Sequence, residues 1–256
     1  LIKIAIGGKG GVGKTTLTAL LAGLFSESSR VSVVDADPSL NLARALGIPT
    51  EQAARLIPLA EMKDLIQERV GSGGLFKLNP KVDDLADKIS YTYNGIRLFV
   101  MGTIVRGGAG CACGENILLR TFLSHLLLEE TEVVLVDMEA GLEHLGRRTI
   151  QSVDALLVVV EPGQRSIDVA LRIKQLAGDI GLRRVLFVGN KLVSADDTQF
   201  IKRTLPPDEI IGLIPHSREI LTADQKGISP YQGLSLALKQ ELLSITARLT
   251  RLKPQI

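Results

Sequence analysis

The chain has 256 residues, 45% of them hydrophobic and 23% charged, the balance of a folded globular protein rather than a disordered one. Thirty basic against 28 acidic residues leave a net charge of +2, so no global field points to nucleic acid or an anionic membrane. No Trp, three Tyr and six Phe argue against an aromatic platform for stacking bases as well.

At this length roughly 70–75% of the unfolded surface can be buried, so no disulfide or metal is needed merely to fold. No apolar run approaches the ~20 residues of a membrane span. No charged N-terminal region precedes an apolar core and cleavage site, and a cytoplasmic location is expected. Short apolar runs then alternate with segments of helical period, the rhythm of βαβ units around a mostly parallel sheet. In chain order the pattern predicts strand 2–6, helix 14–25, strand 31–34, helix 61–70, strand 96–101, helix 116–128 and strand 132–136. It continues with strand 155–160, helix 167–177, strand 184–188, a weak strand 210–214 and a Leu-rich terminal helix 235–252. Ser166 has the look of an N-cap for the helix that follows it. The stretch 47–94, broken by Gly71-Ser72-Gly73-Gly74 and Asn79-Pro80, is expected to be an excursion packed beside the sheet. We expect a single α/β domain over 1–256.

Gly8-Lys9-Gly10-Gly11-Val12-Gly13-Lys14-Thr15 satisfies G-x-x-x-x-G-K-S/T in full, between an apolar strand and a helical pattern. Glycines let consecutive N–H groups curl around a phosphate. Lys14 is expected to reach the β- and γ-phosphates, Thr15 to ligate Mg²⁺, and the helix N-terminus to add its positive end. Asp35 and Asp37 stand two apart at the end of the second strand, and Pro38 ends it. Carboxylates there lie where Mg²⁺ and an attacking water need oxygens. Two turn-forming aspartates are the plainer alternative. Asp137 follows the 132–136 strand as a candidate Mg²⁺-shell acid, and Asn190-Lys191 follows the 184–188 strand. An Asn amide can pair with the donor and acceptor edge of adenine.

The tract from Lys9 to Thr16 resembles the deviant Walker A of the MinD/ParA/NifH class of P-loop NTPases. That resemblance implies a mostly parallel sheet flanked by helices, and an ATP-dependent homodimer in which Lys9 reaches the partner's nucleotide. It also implies that Asp37, in Asp35-Ala36-Asp37-Pro38-Ser39-Leu40-Asn41-Leu42, orients the hydrolytic water while Asp35 supports Mg²⁺. Asp137-Met138-Glu139-Ala140-Gly141 is similar to the class's D-x-x-A-G switch II, and Asn190 and Pro215 match its adenine pocket.

Cys111 and Cys113 lie between glycines, in Gly107-Gly108-Ala109-Gly110-Cys111-Ala112-Cys113-Gly114. In a regular strand residues i and i+2 share a face, while the flanking glycines allow a tight turn to arrange the two thiols otherwise. Two thiolates are too few for a closed Zn²⁺ site, and the histidines (His125, His144, His216) lie elsewhere. A second copy across a two-fold axis would supply four sulfurs. Inert buried thiols and a redox pair are the alternatives. In this framework the C-x-C resembles the CooC family, ATPases that assist assembly of the nickel–iron–sulfur cluster of carbon monoxide dehydrogenase. The AcsF family, linked to acetyl-CoA synthase, is similar. The implied function is metal insertion, with Ni²⁺ or Zn²⁺ on the paired thiolates, a client metalloenzyme as partner, and neither nucleic acid nor membrane. Two other functions fit the same class: MinD/ParA-like spatial partitioning on a membrane, with 235–252 as an amphipathic membrane helix, or on DNA, and NifH-like electron transfer. The cluster cysteine that NifH proteins carry in switch II is missing from 137–144.

Overall fold

A computed structural model of the chain describes residues 2–37, 41–71, 76–102, 114–129, 133–138 and 152–252. In chain order the elements are β1 (Ile2–Gly8), α1 (Lys14–Ser26), β2 (Val31–Ala36), α2 (Leu42–Ala45), α3 (Thr50–Ala53), α4 (Lys63–Val70) and α5 (Leu85–Ile89). Then come β3 (Tyr91–Tyr93), β4 (Ile96–Val100), α6 (Gly114–Glu129), β5 (Val133–Met138), β6 (Ala155–Val160) and α7 (Gln164–Asp179). The chain closes with β7 (Val185–Leu192), α8 (Ala195–Thr204), β8 (Ile210–Pro215), α9 (Arg218–Lys226) and α10 (Leu236–Thr250).

The strands form one sheet in the order β3-β4-β2-β5-β1-β6-β7-β8, parallel except for the β3–β4 pair. Both faces are covered, which is why the central strands read as unbroken apolar runs. Alternation still sorts their side chains. Val133 and Leu135 join the core under α1 and α10, while Val134, Val136 and Met138 join the opposite core under α6 and α7. Phe99 of β4 meets Phe122 of α6 there, ring centroids 5.6 Å apart. The expected α/β architecture is what the chain adopts.

Several boundaries differ from the sequence expectation, and helices α2, α3, α5, α8 and α9 are not among its elements. The expected Ser166 cap is a correction: Gly163 is the N-cap of α7, and the buried Ser166 hydroxyl accepts the Glu161 N–H at 3.1 Å inside the first turn. Helix α8 begins with a reciprocal capping box between Ser194 and Asp197, and α9 is capped by Ser217. The unforeseen β3 forms a hairpin with β4 through Asn94 and Gly95, both at positive φ (47° and 78°), as a type I′ turn needs. β7 runs on to Leu192 with an irregular register after Gly189, so Asn190 and Lys191 lie within the strand's end rather than after it.

The described residues of segment 47–94 pack beside the sheet. Leu59, Ile66, Val70, Val82 and Leu85 all enter the core that contains α6. Helix α10 covers β8: Leu238, Leu242, Ile245 and Leu249 are buried, Glu241 accepts the Leu213 N–H at 2.9 Å, and Arg248 donates to the Ile210 carbonyl at 3.0 Å. Its apolar face is therefore committed to the core, apart from the exposed Leu236 and Leu243. Among the described residues no helix is long and apolar enough to cross a membrane.

Candidate functional site

Parallel strands raise their carboxyl ends to one edge of the sheet, and ligands of such sheets bind there. β1 sits between β5 and β6, so the loop it feeds is flanked by Asp137 at the end of β5 and by Glu161 just past β6. Gly8 pairs with Val159 so closely that a Cβ would stand 2.4 Å from the Val159 carbonyl oxygen. Gly13 caps α1 in the left-handed region (φ 98°), and a Cβ there would meet Asn190 Nδ2 at 2.5 Å. Between them the Val12 N–H closes a turn on the Lys9 carbonyl. The Lys14 side chain is buried and its ammonium donates to the Lys9 carbonyl at 3.4 Å. Gly8 to Thr16, all expected to bind nucleotide, thus form one continuous cradle ending in the first turn of α1.

Asp35 and Asp137 are in-register neighbours on β2 and β5, and both are fully buried. Burial pushes the Asp35 carboxyl up to about 7, against the N–H of Leu42 and with help from the charge of Asp137. Its oxygens already accept from Leu42 N at 3.0 Å and Asp37 N at 3.3 Å. Asp35 therefore fastens the turn that presents Asp37, which is half-buried at the strand's end. Asp137 differs. Burial raises it to about 6, with the Thr15 and Thr18 hydroxyls and the Lys14 ammonium pulling the other way. Yet both its oxygens are enclosed without a completed hydrogen bond. A buried acceptor pair left open beside a phosphate cradle and a threonine hydroxyl fits a Mg²⁺ ion with its water shell.

Two residues at the end of β7 grip the cradle from outside. Asn190 Nδ2 donates to the Val12 carbonyl at 2.8 Å, and the Lys191 ammonium donates to the Gly11 carbonyl at 2.5 Å. Beside them opens a cleft of about 270 Å³. Gly13 and Thr16 form one end, Leu17 and Leu20 an apolar floor, and Pro215 and Ile220 the far wall. A flat purine fits that mixture of backbone, apolar floor and edge amide. The structure brings together Asn190, Lys191 and Pro215 with the loop. It adds His216 and Ile220, which the sequence offered no motif to find. Glu161 was also missed, although an acid directly after a central parallel strand is a signal for this edge.

Cys111 and Cys113 lie outside the described residues, as do Pro38, Glu139, Ala140, Gly141 and His144. The flanks of the cysteine segment are described. Gly102 has φ 78° and a Cβ there would come within 2.8 Å of Pro58, while Gly114 opens α6 against Val70 and Phe76. Both ends therefore lean on the 47–94 excursion. Among the described residues no group of three or more His, Cys, Asp or Glu side chains could hold a metal ion.

A profile of the CobQ/CobB/MinD/ParA nucleotide binding domain matches residues 3–231. The chain is 44% identical, over 97% of its length and 96% of the relative's, to the carbon monoxide dehydrogenase accessory protein CooC of Rhodospirillum rubrum. It is 43% identical to an uncharacterized ATP-binding protein of Methanocaldococcus jannaschii, covering 88% of this chain and 90% of that one. Its backbone superposes on MinD from the Aquifex aeolicus MinC:MinD cell division complex with a TM-score of 0.72, covering 99% and 97% of the two chains at 21% identity. At that identity the likeness speaks for the fold alone.

Proposed function

The chain belongs to the CobQ/CobB/MinD/ParA nucleotide-binding family and is an ATPase, and from that premise we propose that it is a CooC-type metallocentre maturation factor. The reading is carried by near full-length similarity to a carbon monoxide dehydrogenase accessory protein in a chain that has Cys111 and Cys113 as its only cysteines. Residues 1–256 act as one ATPase domain. Lys14 and the N–H groups of Gly10 to Thr16 hold the phosphates, and Asn190, Lys191 and Pro215 hold the base. Thr15 and Asp137 hold Mg²⁺, with Asp35 supporting from behind. When bound, the ion offsets charge on the β- and γ-phosphates. Asp37 orients the attacking water. Lys9 stabilises transferring charge on the nucleotide of a second copy, so two protomers close face to face around two ATP molecules.

Closure brings two C-x-C pairs together as four thiolates for Ni²⁺ or Zn²⁺, and hydrolysis separates them. Separation halves the ligand set and releases the ion to a client, carbon monoxide dehydrogenase or acetyl-CoA synthase. Because ATP and metal favour the same closed state, each must tighten the other. The test is metal content per chain with and without a non-hydrolysable ATP analogue. We expect one ion per pair of chains, more tightly held with the analogue, and none in a Cys111→Ser/Cys113→Ser protein. Equal Ni²⁺ and Zn²⁺ binding by that variant and its parent would overturn the reading.

A further inference from the structure

Three ammonium groups crowd the cradle. Lys14 lies folded back on the Lys9 carbonyl, Lys191 grips Gly11, and Lys9 projects from the loop itself. Among the described residues one carboxylate meets two of them. Glu161 Oε1 stands 3.4 Å from the Lys9 ammonium, and Glu161 Oε2 stands 3.9 Å from that of Lys191.

Glu161 is well placed for that contact. It directly follows β6, whose six residues are completely buried. Its N–H donates to Ser166 Oγ at 3.1 Å, and its carbonyl accepts from Gly163 at 2.8 Å. Backbone is thus held on both sides of the residue, and only the side chain is free to move. Lys9 keeps 37% of its side chain exposed and Glu161 32%, so the pair is open enough to part. A pair in such a position contributes only weakly and is weakened further by salt.

We infer that Glu161 is a positioning residue for Lys9: it holds the Lys9 ammonium against its own protomer, and pairing of two ATP-loaded protomers requires that ion pair to open. This rests on the reading that Lys9 serves the partner's nucleotide. One ammonium cannot sit against Glu161 and reach across an interface at once. Nucleotide itself favours release, because phosphates entering the cradle bring several negative charges close to the three lysines and compete with the single carboxylate for them. Lys191 remains on Gly11, so Glu161 keeps one cationic neighbour when Lys9 leaves. ADP brings one phosphate fewer and competes less strongly for Lys9, so two ADP-loaded protomers would stay apart more readily.

Sedimentation of the full chain in Mg²⁺ with a non-hydrolysable ATP analogue tests this, using the parent, Glu161→Gln, Lys9→Ala and the double variant. Glu161→Gln is expected to pair at lower protein concentration, by up to about fivefold for each ion pair released and so up to about 25-fold per dimer. The gain should shrink as salt rises from low to high ionic strength. In the Lys9→Ala background the same change should do nothing, because Glu161 acts through Lys9. Glu161→Asp keeps the charge on a shorter stem and should fall between parent and Glu161→Gln. If Lys9→Ala abolishes pairing while Glu161→Gln leaves it unchanged or weakens it, the positioning role is overturned and the crossing role of Lys9 stands. If Lys9→Ala pairs as well as the parent, the crossing role fails and the positioning role with it. A Glu161→Gln gain that persists without Lys9 would likewise overturn the inference, since the carboxylate would then be acting on something else.

Discussion

The phosphate cradle and the two described flanks of the cysteine segment, Gly102 and Gly114, are held in opposite ways. The cradle is contiguous: nine residues from Gly8 to Thr16 run from the end of β1 into α1, and the contacts from β7 merely brace a shape the glycines already permit. The cysteine segment is bounded by two glycines that draw their packing from a distant stretch, Gly102 from Pro58 and Ala60, and Gly114 from Val70 and Phe76. A function held in one short run survives most changes elsewhere in the chain. Flanks held by remote contacts depend on the element that supplies them, and here that element is the least regular part of the sequence.

Substitutions can separate the two plans, and the largest effect belongs to the cradle. Lys14→Ala should lower kcat/KM for ATP hydrolysis by roughly 10²–10³, read in a steady-state phosphate-release assay, with little change in thermal midpoint. If it leaves nucleotide-dependent metal retention untouched, the two regions are not coupled and the contrast becomes a separation. Gly102→Ala strikes the other plan. It forces a Cβ into a left-handed position and against Pro58, and should cost about 1–3 kcal/mol of stability by denaturant unfolding. Metal binding should suffer more than ATPase activity in the folded fraction. An ATPase defect as large as the metal defect would show that the cysteine flank also shapes the cradle.

The pH dependence of stability sharpens the same contrast, because among the described residues the raised carboxyls, Asp35 and Asp137, stand beside the cradle. With Asp35 at about 7 and Asp137 at about 6, against an ordinary 3.8, the folded protein without nucleotide bound would hold protons that the unfolded chain has released. Its stability should therefore fall as pH rises from about 4 to about 7. Asp84, Asp83 and Asp197 are held low by their partners: salt bridges to Arg69 and Lys88 for Asp84, and mainly backbone N–H groups for Asp83 and Asp197. Their contribution is lost only below about pH 4. Saturating Mg·ADP should flatten the upper slope, since Mg²⁺ needs Asp137 ionised. A slope unchanged by Mg·ADP in thermal scans would take Asp137 out of the metal shell. The smallest effect comes from a helix cap whose side-chain hydrogen bonds stay within its own turn. Ser194→Ala removes the α8 cap, and should cost about 1 kcal/mol while leaving hydrolysis and metal binding alone.

What the sequence made legible follows the same division. The loop, the central strands and α1 were readable because each is fixed by neighbours in the chain. Asp35, Asp137 and Asn190 were readable as acids and an amide at strand ends, although the difference between a satisfied Asp35 and an open Asp137 depends on which backbone N–H groups lie nearby. The β3–β4 hairpin was written in Asn94-Gly95 and passed over, because a three-residue strand carries too little period to notice. Glu161 was hidden for a different reason. Its two lysine partners lie 152 residues before it and 30 after it, and only the parallel crossover of β1, β6 and β7 makes them neighbours.

The grip of Asn190 on the Val12 carbonyl has a thermodynamic consequence. A peptide unit is a rigid plane whose C=O and N–H point opposite ways, so fixing that oxygen outward aims the Gly13 N–H into the cradle before any ligand arrives. Conformational freedom in the loop is then surrendered when the chain folds, and nucleotide meets donors that need no further ordering. Calorimetry should show this as a smaller entropic penalty on binding than in an Asn190→Ala protein, whose loop must freeze anew around each ligand.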